Sequence, residues 1–204
     1  MKQILCFGDS NTYGLIPGTA NQRYGWGTRW TSILDEKVRT KGYRVIEEGL
    51  CGRTTVFDDP FRTERRGTEM LPAILESHRP VDIIVLMLGT NDCKSVYSAT
   101  PEVIGQGIEQ LLDQINTVNP DAKILLVSPI YIGERILIRN SIRILSKYHG
   151  ICLGCMRKSP EGEIFRTFRL RNLPGLVKQI RSIWMRWGIA DLQMQFMKSL
   201  QDDA

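Results

Sequence analysis

The stretch VDIIVLMLG (residues 81–89) decides the fold of this chain. It is a nearly continuous run of apolar, mostly branched side chains that ends at a glycine, which is typical of a strand buried on both faces of a parallel sheet. Three further runs share this character: QILCFG (residues 3–8), YRVIEEG (residues 43–49) and AKILLVSPI (residues 122–130). We therefore expect four buried strands.

Segments with helical spacing separate the four runs. Apolar residues recur at intervals of three and four in residues 28–42, 67–80 and 100–120. In the last of these segments, Thr100 is a suitable N-cap and Pro101 suits the first turn. Because strands and helices alternate, the sequence predicts an α/β domain with three layers, in which helices cover both faces of a parallel sheet.

Length and composition indicate one globular domain in a reducing compartment. The 204 residues, 42% hydrophobic and 24% charged, suffice for a single domain spanning residues 1–204. No apolar run reaches the roughly 18 residues that a membrane span needs. The N-terminal sequence MKQILCFGDS lacks the cleavage site of a signal peptide. Five cysteines without framework spacing predict free thiols and a cytoplasmic location.

Polar or flexible residues follow three of the predicted strands, at the edge where parallel α/β sheets bind ligands. Ser10 follows the first strand, Gly49 and Gly52 end the second, and Asn91 follows the third. Singly, these residues also suit an N-cap, a glycine turn and an Asx turn. Together they supply a nucleophile, a main-chain N–H donor and an amide donor, which is the set that an oxyanion hole requires.

Three longer blocks resemble the first three motifs of the SGNH (GDSL-type) hydrolases. They are ILCFGDSNTYG (residues 4–14), VIEEGLCGRTT (residues 45–55) and IIVLMLGTNDCK (residues 83–94). The residues of these blocks are similar to those of the bacterial arylesterase/acyltransferase branch of that family. The resemblance covers about residues 2–135. It implies a flavodoxin-like α/β/α fold, a serine esterase acting on small acyl and aryl esters, and no metal or cofactor.

The resemblance also implies roles for individual residues. Ser10 would be the nucleophile, and the oxyanion would be bound by the N–H groups of Ser10 and Gly52 and by the side-chain amide of Asn91. Asp9 would hold the turn, and Arg53 would line the pocket. The expected partner is a small-molecule ester, with neither nucleic acid nor a membrane expected. The sequence leaves a homo-oligomer open.

The fourth family motif, an Asp and a His three residues apart, is missing. The chain has two histidines, His78 in LESHRP and His149, and neither belongs to a D-x-x-H sequence. No catalytic His or Asp is therefore identifiable. A regular fifth strand and a final helix are not evident after residue 135 either. Because that His removes the proton from the nucleophile, we expect impaired catalysis.

The chain changes character near residue 135. Residues 1–134 carry 14 Lys and Arg against 17 Asp and Glu, a net charge of −3, whereas residues 135–204 carry 13 against 5, a net charge of +8. Basic tails of this kind bind nucleic acid or anionic membranes, or are simply solvated. For nucleic acid, Trp184 and Trp187 would add stacking, but no recognised binding motif is present.

A frame difference explains the tail more specifically. When each codon takes the last base of one residue and the first two of the next, KQIRSIWM (residues 178–185) permits ADPIHMD. The run continuing to Phe196 permits AVGHRRLADAV, and residues 137–141, 154–160 and 170–174 permit DPEF, VYEKVA and AKPS. The arylesterase branch carries segments of these kinds in this order. We therefore hypothesise a frameshift that begins near residues 136–139.

Three other interpretations remain open. Cys152 and Cys155 form a C-x-x-C near His149, but one such pair is a weak zinc signal. A membrane-surface helix in residues 176–189 would be short, because Pro174 lies just before it and Gly188 lies near its end. A pseudoenzyme that binds esters or glycans without hydrolysing them would also lack the D-x-x-H sequence.

Overall fold

A computed structural model describes residues 1–127, together with the main chain of residues 137–138 and 142–143. Four parallel strands form its sheet: β1 (Lys2–Gly8), β2 (Tyr43–Gly49), β3 (Ile83–Met87) and β4 (Lys123–Leu126). Their spatial order is β2-β1-β3-β4. The four-residue span of β4 is shorter than the predicted run, whose last three residues lie outside the described part of the chain.

Three helices follow the predicted segments: α2 (Trp30–Arg39), α3 (Gly67–Ser77) and α4 (Pro101–Val118). The single-turn helix α1 (Ser10–Tyr13) precedes them and lies outside the three predicted segments. Two short 3₁₀ turns cover Asn91–Cys93 and Ser95–Tyr97. Beyond the sheet, β5 (Leu137–Ile138) pairs antiparallel with β6 (Ile142–Arg143). The predicted absence of a regular fifth strand and final helix concerns residues outside the described part of the chain.

Two apolar clusters fix the layers. Leu5, Phe7 and Leu86 project to one face of the sheet and pack with residues of α3 and α4, among them Leu71 and Ile108.

Ile4, Cys6 and Val85 project to the other face and pack against Trp30 and Leu34 of α2. These five side chains are at most 2% exposed, and so are the three strand residues of the first cluster. Burying a side chain of this size stabilises a fold by about 1.5–3 kcal/mol. The predicted three-layer α/β/α architecture is confirmed.

The strand register places three strand ends at one level. Gly8 of β1 pairs with Gly49 of β2 on one side and with Met87 of β3 on the other. Gly49 packs directly on α1, because a Cβ atom at this position would overlap the main chain of Thr12 and Tyr13. The segments that leave the three strands therefore start side by side above the sheet.

The start of α4 matches the sequence signal. The Thr100 hydroxyl accepts a hydrogen bond from the Val103 N–H at 3.4 Å, and Pro101 is the first residue of α4. Gly42, two residues beyond the C-cap of α2, has a φ of 80°. Within the described residues, we found no helix with the length and apolar character of a membrane span.

Candidate active site

Ser10 lies at the junction of β1 and α1. Asp9 is the N-cap of α1, and its Oδ1 accepts hydrogen bonds from the main-chain N–H of Asn11 at 2.8 Å and from Asn11 Nδ2 at 2.9 Å. Asp9 is 1% exposed, whereas Ser10 is half-buried. Burial raises the pKa of the Asp9 carboxyl, and the bonds from Asn11 oppose that rise. These bonds hold the turn that presents Ser10.

Gly52 lies in the loop that leaves β2. Its φ of 87° belongs to the left-handed region, which glycine adopts without the strain that a Cβ atom would add. The preceding residue, Cys51, accepts a hydrogen bond at its carbonyl from Arg65 Nε at 3.0 Å. A Cβ atom on Gly52 would lie 3.2 Å from Arg62 Nη1. Two guanidinium groups therefore flank the Gly52 main chain.

Arg53 ties two strand ends together. Its side chain is buried, with Nη1 donating to the Gly8 carbonyl at 3.0 Å and also to the Glu48 carbonyl. The guanidinium carbon lies 4.0 Å from the centroid of the Phe7 ring. Burial lowers the pKa of the Arg53 side chain to about 10, which still leaves it charged at neutral pH. The residue therefore supplies a positive charge beneath the site.

Asn91 and Asp92 join the β3 segment to the loop after β2. Asn91 Nδ2 donates a hydrogen bond to the Arg53 carbonyl at 3.0 Å. Asp92, 0% exposed, accepts from the Thr55 N–H at 2.9 Å and from the Thr55 hydroxyl at 2.5 Å. Burial raises the pKa of the Asp92 carboxyl to about 6, although the Thr55 bonds favour the ionised form. The structure thus brings the Asn91 amide next to the loop that carries Gly52.

Sequence reasoning singled out Asn91 and Gly52 but missed the bonds between Asp92 and Thr55. The sequence shows RTT (residues 53–55) after the second strand and TND (residues 90–92) after the third. Polar side chains that follow neighbouring strands in this way are the signal that could have predicted the contact. His78 is the C-cap of α3, and its Nε2 lies 2.8 Å from Glu48 Oε1. His149, Cys152 and Cys155 lie outside the described residues. Within the described part, His, Cys, Asp and Glu form no cluster suited to a metal ion.

Comparison with protein families identifies the family of the chain. The model of the GDSL-like Lipase/Acylhydrolase family matches residues 6–184. The chain belongs to this family. Membership makes it, by family, a serine hydrolase that cleaves esters, and it places the three strand-end segments in a fold shared with known GDSL hydrolases. The predicted SGNH family and fold are therefore confirmed.

Two solved structures of GDSL-hydrolase relatives are similar over most of their length. Est24, a carbohydrate acetylesterase from Sinorhizobium meliloti, is 32% identical and covers 81% of each chain, with a TM-score of 0.70. The aryl esterase of M. smegmatis is also 32% identical, covers 82% of this chain and 78% of its own, and gives a TM-score of 0.66.

A third solved structure shares the fold alone. The lipase/acylhydrolase from Enterococcus faecalis is 18% identical, with a TM-score of 0.55 over 81% of this GDSL hydrolase and 72% of its own chain. A comparison with curated proteins finds no match. The fold is thus retained among relatives whose sequences differ at most positions.

Proposed function

We propose that this chain is a carboxylic ester hydrolase in which Ser10 is the nucleophile. The Ser10 oxygen bonds to the carbonyl carbon of the ester, the carbonyl oxygen takes the negative charge, and the hydroxyl proton must leave. The alcohol departs when the carbonyl re-forms, and water or a second alcohol then takes the acyl group. Transfer of the acyl group to an alcohol instead of water would make the protein an acyltransferase.

The proposed oxyanion donors are the N–H groups of Ser10 and Gly52 and the side-chain amide of Asn91. The observation that carries this proposal is the 3.0 Å hydrogen bond from Asn91 Nδ2 to the Arg53 carbonyl. It sets the amide beside the residue that follows Gly52. An amide group has two hydrogens, so one is used in this bond and the other remains for the oxyanion.

We propose small acyl esters with an aryl or carbohydrate alcohol as substrates. The support comes from the relatives, because one is a carbohydrate acetylesterase and another an aryl esterase, each 32% identical to this chain. The acetyl group that the first of these relatives removes makes a short acyl group the proposed preference.

Catalysis by this chain is expected to be weak. The sequence contains no D-x-x-H, so the Ser10 proton has no identified acceptor. Loss of the base of a catalytic triad costs on the order of 10⁶ in turnover, and about 10³–10⁴ over the uncatalysed reaction remains from the oxyanion hole and from binding.

We attribute the missing motif to a frameshift near residues 136–139. In the shifted frame, the Asp codon of ADPIHMD straddles Gln179 and Ile180, and the His codon straddles Ser182 and Ile183. The same shift explains the net charge of +8 on residues 135–204, because such a segment has not been selected for solubility.

Hydrolysis of 4-nitrophenyl acetate by the full chain tests the proposal. Asn91→Ala should lower the residual rate by about 10²–10³, because it removes an oxyanion donor. Ser10→Ala should lower the rate little, because triad members act as a unit and the base is already missing. Asn119→Ala is the matched control, since Asn119 caps α4 at the opposite edge of the sheet and should leave the rate unchanged.

Two other functions would give different results. A pseudoenzyme, which the missing D-x-x-H favours, would bind esters with no hydrolysis above buffer and no effect of Asn91→Ala. A nucleic-acid binder would show salt-dependent affinity for DNA or RNA that disappears when residues 136–204 are removed. Either result would replace the esterase proposal.

We also propose a cytoplasmic location. Cys6, Cys51 and Cys93 are buried free thiols, and burial raises the pKa of each. Unpaired buried thiols are ordinary in a reducing compartment. Fractionation of the source cells, followed by detection with an antibody to the chain, would test this location.

A further inference from the structure

Two loops hold the proposed oxyanion donors, and a buried carboxylate joins them. Gly52 belongs to the loop after β2, and Asn91 belongs to the segment after β3. Asp92 follows Asn91 directly and has 0% exposure. Its Oδ1 accepts hydrogen bonds from the Thr55 N–H at 2.9 Å and from the Thr55 hydroxyl at 2.5 Å, across 37 positions of sequence.

The Asp92 contacts reinforce the contact of its neighbour. Asn91 Nδ2 donates a hydrogen bond to the Arg53 carbonyl at 3.0 Å. Two consecutive side chains of the segment after β3 therefore bind residues 53 and 55 of the loop after β2. A hydrogen bond to a charged group contributes more to stability than a hydrogen bond between neutral groups. The Asp92 carboxylate therefore makes the stronger of the two contacts.

The surroundings of Asp92 explain why its carboxylate turns to Thr55. Burial raises the pKa of the Asp92 carboxyl, and the charge of Asp9 raises it further. The nearest cation in sequence, Lys94, is 3.1 Å from Asp59 and is paired with it. At pH 8 the carboxyl is ionised, because its pKa is about 6. The Thr55 donors are the hydrogen-bond partners that stabilise this buried charge.

We propose that Asp92 is a positioning residue for the oxyanion hole. By holding Thr55, it fixes the loop of Gly52 against the segment of Asn91, so that the Gly52 N–H and the Asn91 amide keep the spacing that one oxygen atom requires. This inference rests on the proposed function, because it takes Gly52 and Asn91 as the oxyanion donors. An oxyanion hole works only when its donors are placed before the charge develops.

The test uses the full 204-residue chain at pH 8 and two readouts. Asp92→Asn should reduce kcat for 4-nitrophenyl acetate about 10- to 100-fold with KM changed less than about twofold, because misplaced donors weaken the transition state alone. Hydrogen exchange at the Thr55 amide should become about tenfold faster, because its acceptor loses its charge.

Thr55→Val and Thr55→Ser supply an independent pair should Asp92→Asn fail to fold. The valine variant removes the hydroxyl donor at constant shape and should reduce kcat about tenfold. The serine variant keeps the hydroxyl and should restore the parental kcat. Asp35→Asn is the matched control, because Asp35 is a buried carboxylate that accepts the Val45 N–H at 2.8 Å away from the site. It should leave kcat unchanged.

The proposal is overturned if Thr55 exchanges faster in Asp92→Asn while kcat stays at the parental value. It is also overturned if Asp35→Asn lowers kcat equally, because a general loss of packing would then explain the effect. Asn91→Ala distinguishes a failure of the proposed function from a failure of the positioning role. If that variant does not lower the rate, the proposed function fails; if it does and the Asp92 and Thr55 variants do not, the positioning role alone fails.

Discussion

Residues 1–134 and residues 135–204 differ in charge and in pattern. The first region has a net charge of −3 and alternates buried strands with amphipathic helices, whereas the second has a net charge of +8 and no clear period. In the first region, glycine, serine and asparagine occur at successive strand ends of one sheet. The contrast teaches that a folded enzyme domain leaves several mutually consistent patterns in its sequence, and the proposed frameshift would remove all of them together.

The test with the largest expected effect corrects the proposed frameshift. Reading the codons after about residue 136 one nucleotide upstream should return the D-x-x-H motif and raise turnover of 4-nitrophenyl acetate by on the order of 10⁶. In the restored chain, Ser10→Ala should then abolish the gain. The nucleotide sequence alone can end the idea, since codons 178–185 unable to encode IHMD in the other frame would falsify it.

A second test lies inside the first region and concerns Asp92. Its pKa in the fold is about 6, against an ordinary value of 3.8, so the folded protein binds a proton more tightly than the unfolded chain. The contribution of Asp92 to the free energy of unfolding should therefore rise by about 2 kcal/mol between pH 7.5 and pH 4.5, and the raised pKa of Asp9 acts in the same direction. Glu47 and Asp59 have lowered pKa values, so the stability that they contribute is lost at more acidic pH.

Urea unfolding of the parent and of Asp92→Asn across this pH range measures the effect. The variant should lack the Asp92 contribution, so its stability should change less with pH. A parallel pH dependence of the two proteins would contradict the raised pKa. Because the measurement needs no substrate, it tests the first region independently of any hydrolysis.

The smallest test compares two glycines of the first region. Gly52 and Gly18 have φ values of 87° and 80°, so alanine at either should cost about 1–2 kcal/mol of stability. No atom lies within 4 Å of a Cβ at Gly18. Chemical denaturation should thus give similar losses, while 4-nitrophenyl acetate hydrolysis should fall for Gly52→Ala alone. Equal hydrolysis by the two variants would argue against an oxyanion role for Gly52.

The sequence predicted the elements of the fold because their signals are local. The run IIVLM of β3 and the Thr100–Pro101 start of α4 carry their structure in neighbouring residues. Candidate residues at the strand ends were equally accessible, because parallel strands end at one edge. The bonds of Asp92 to Thr55 and of Arg53 to Gly8 were not predicted. They join residues 37 and 45 positions apart, and such contacts exist only after the whole sheet has assembled.

Gly49 bears on how mutational tolerance should be interpreted in this protein. Its Cα packs on the main chain of Thr12 and Tyr13, where any side chain would overlap. A saturation screen for activity would find this position as intolerant as a nucleophile, although it carries no reacting group. Intolerance to every substitution would then report the steric fit of α1 on β2, and chemical rescue or conservative replacement would be needed to recognise the residues that act on the ester.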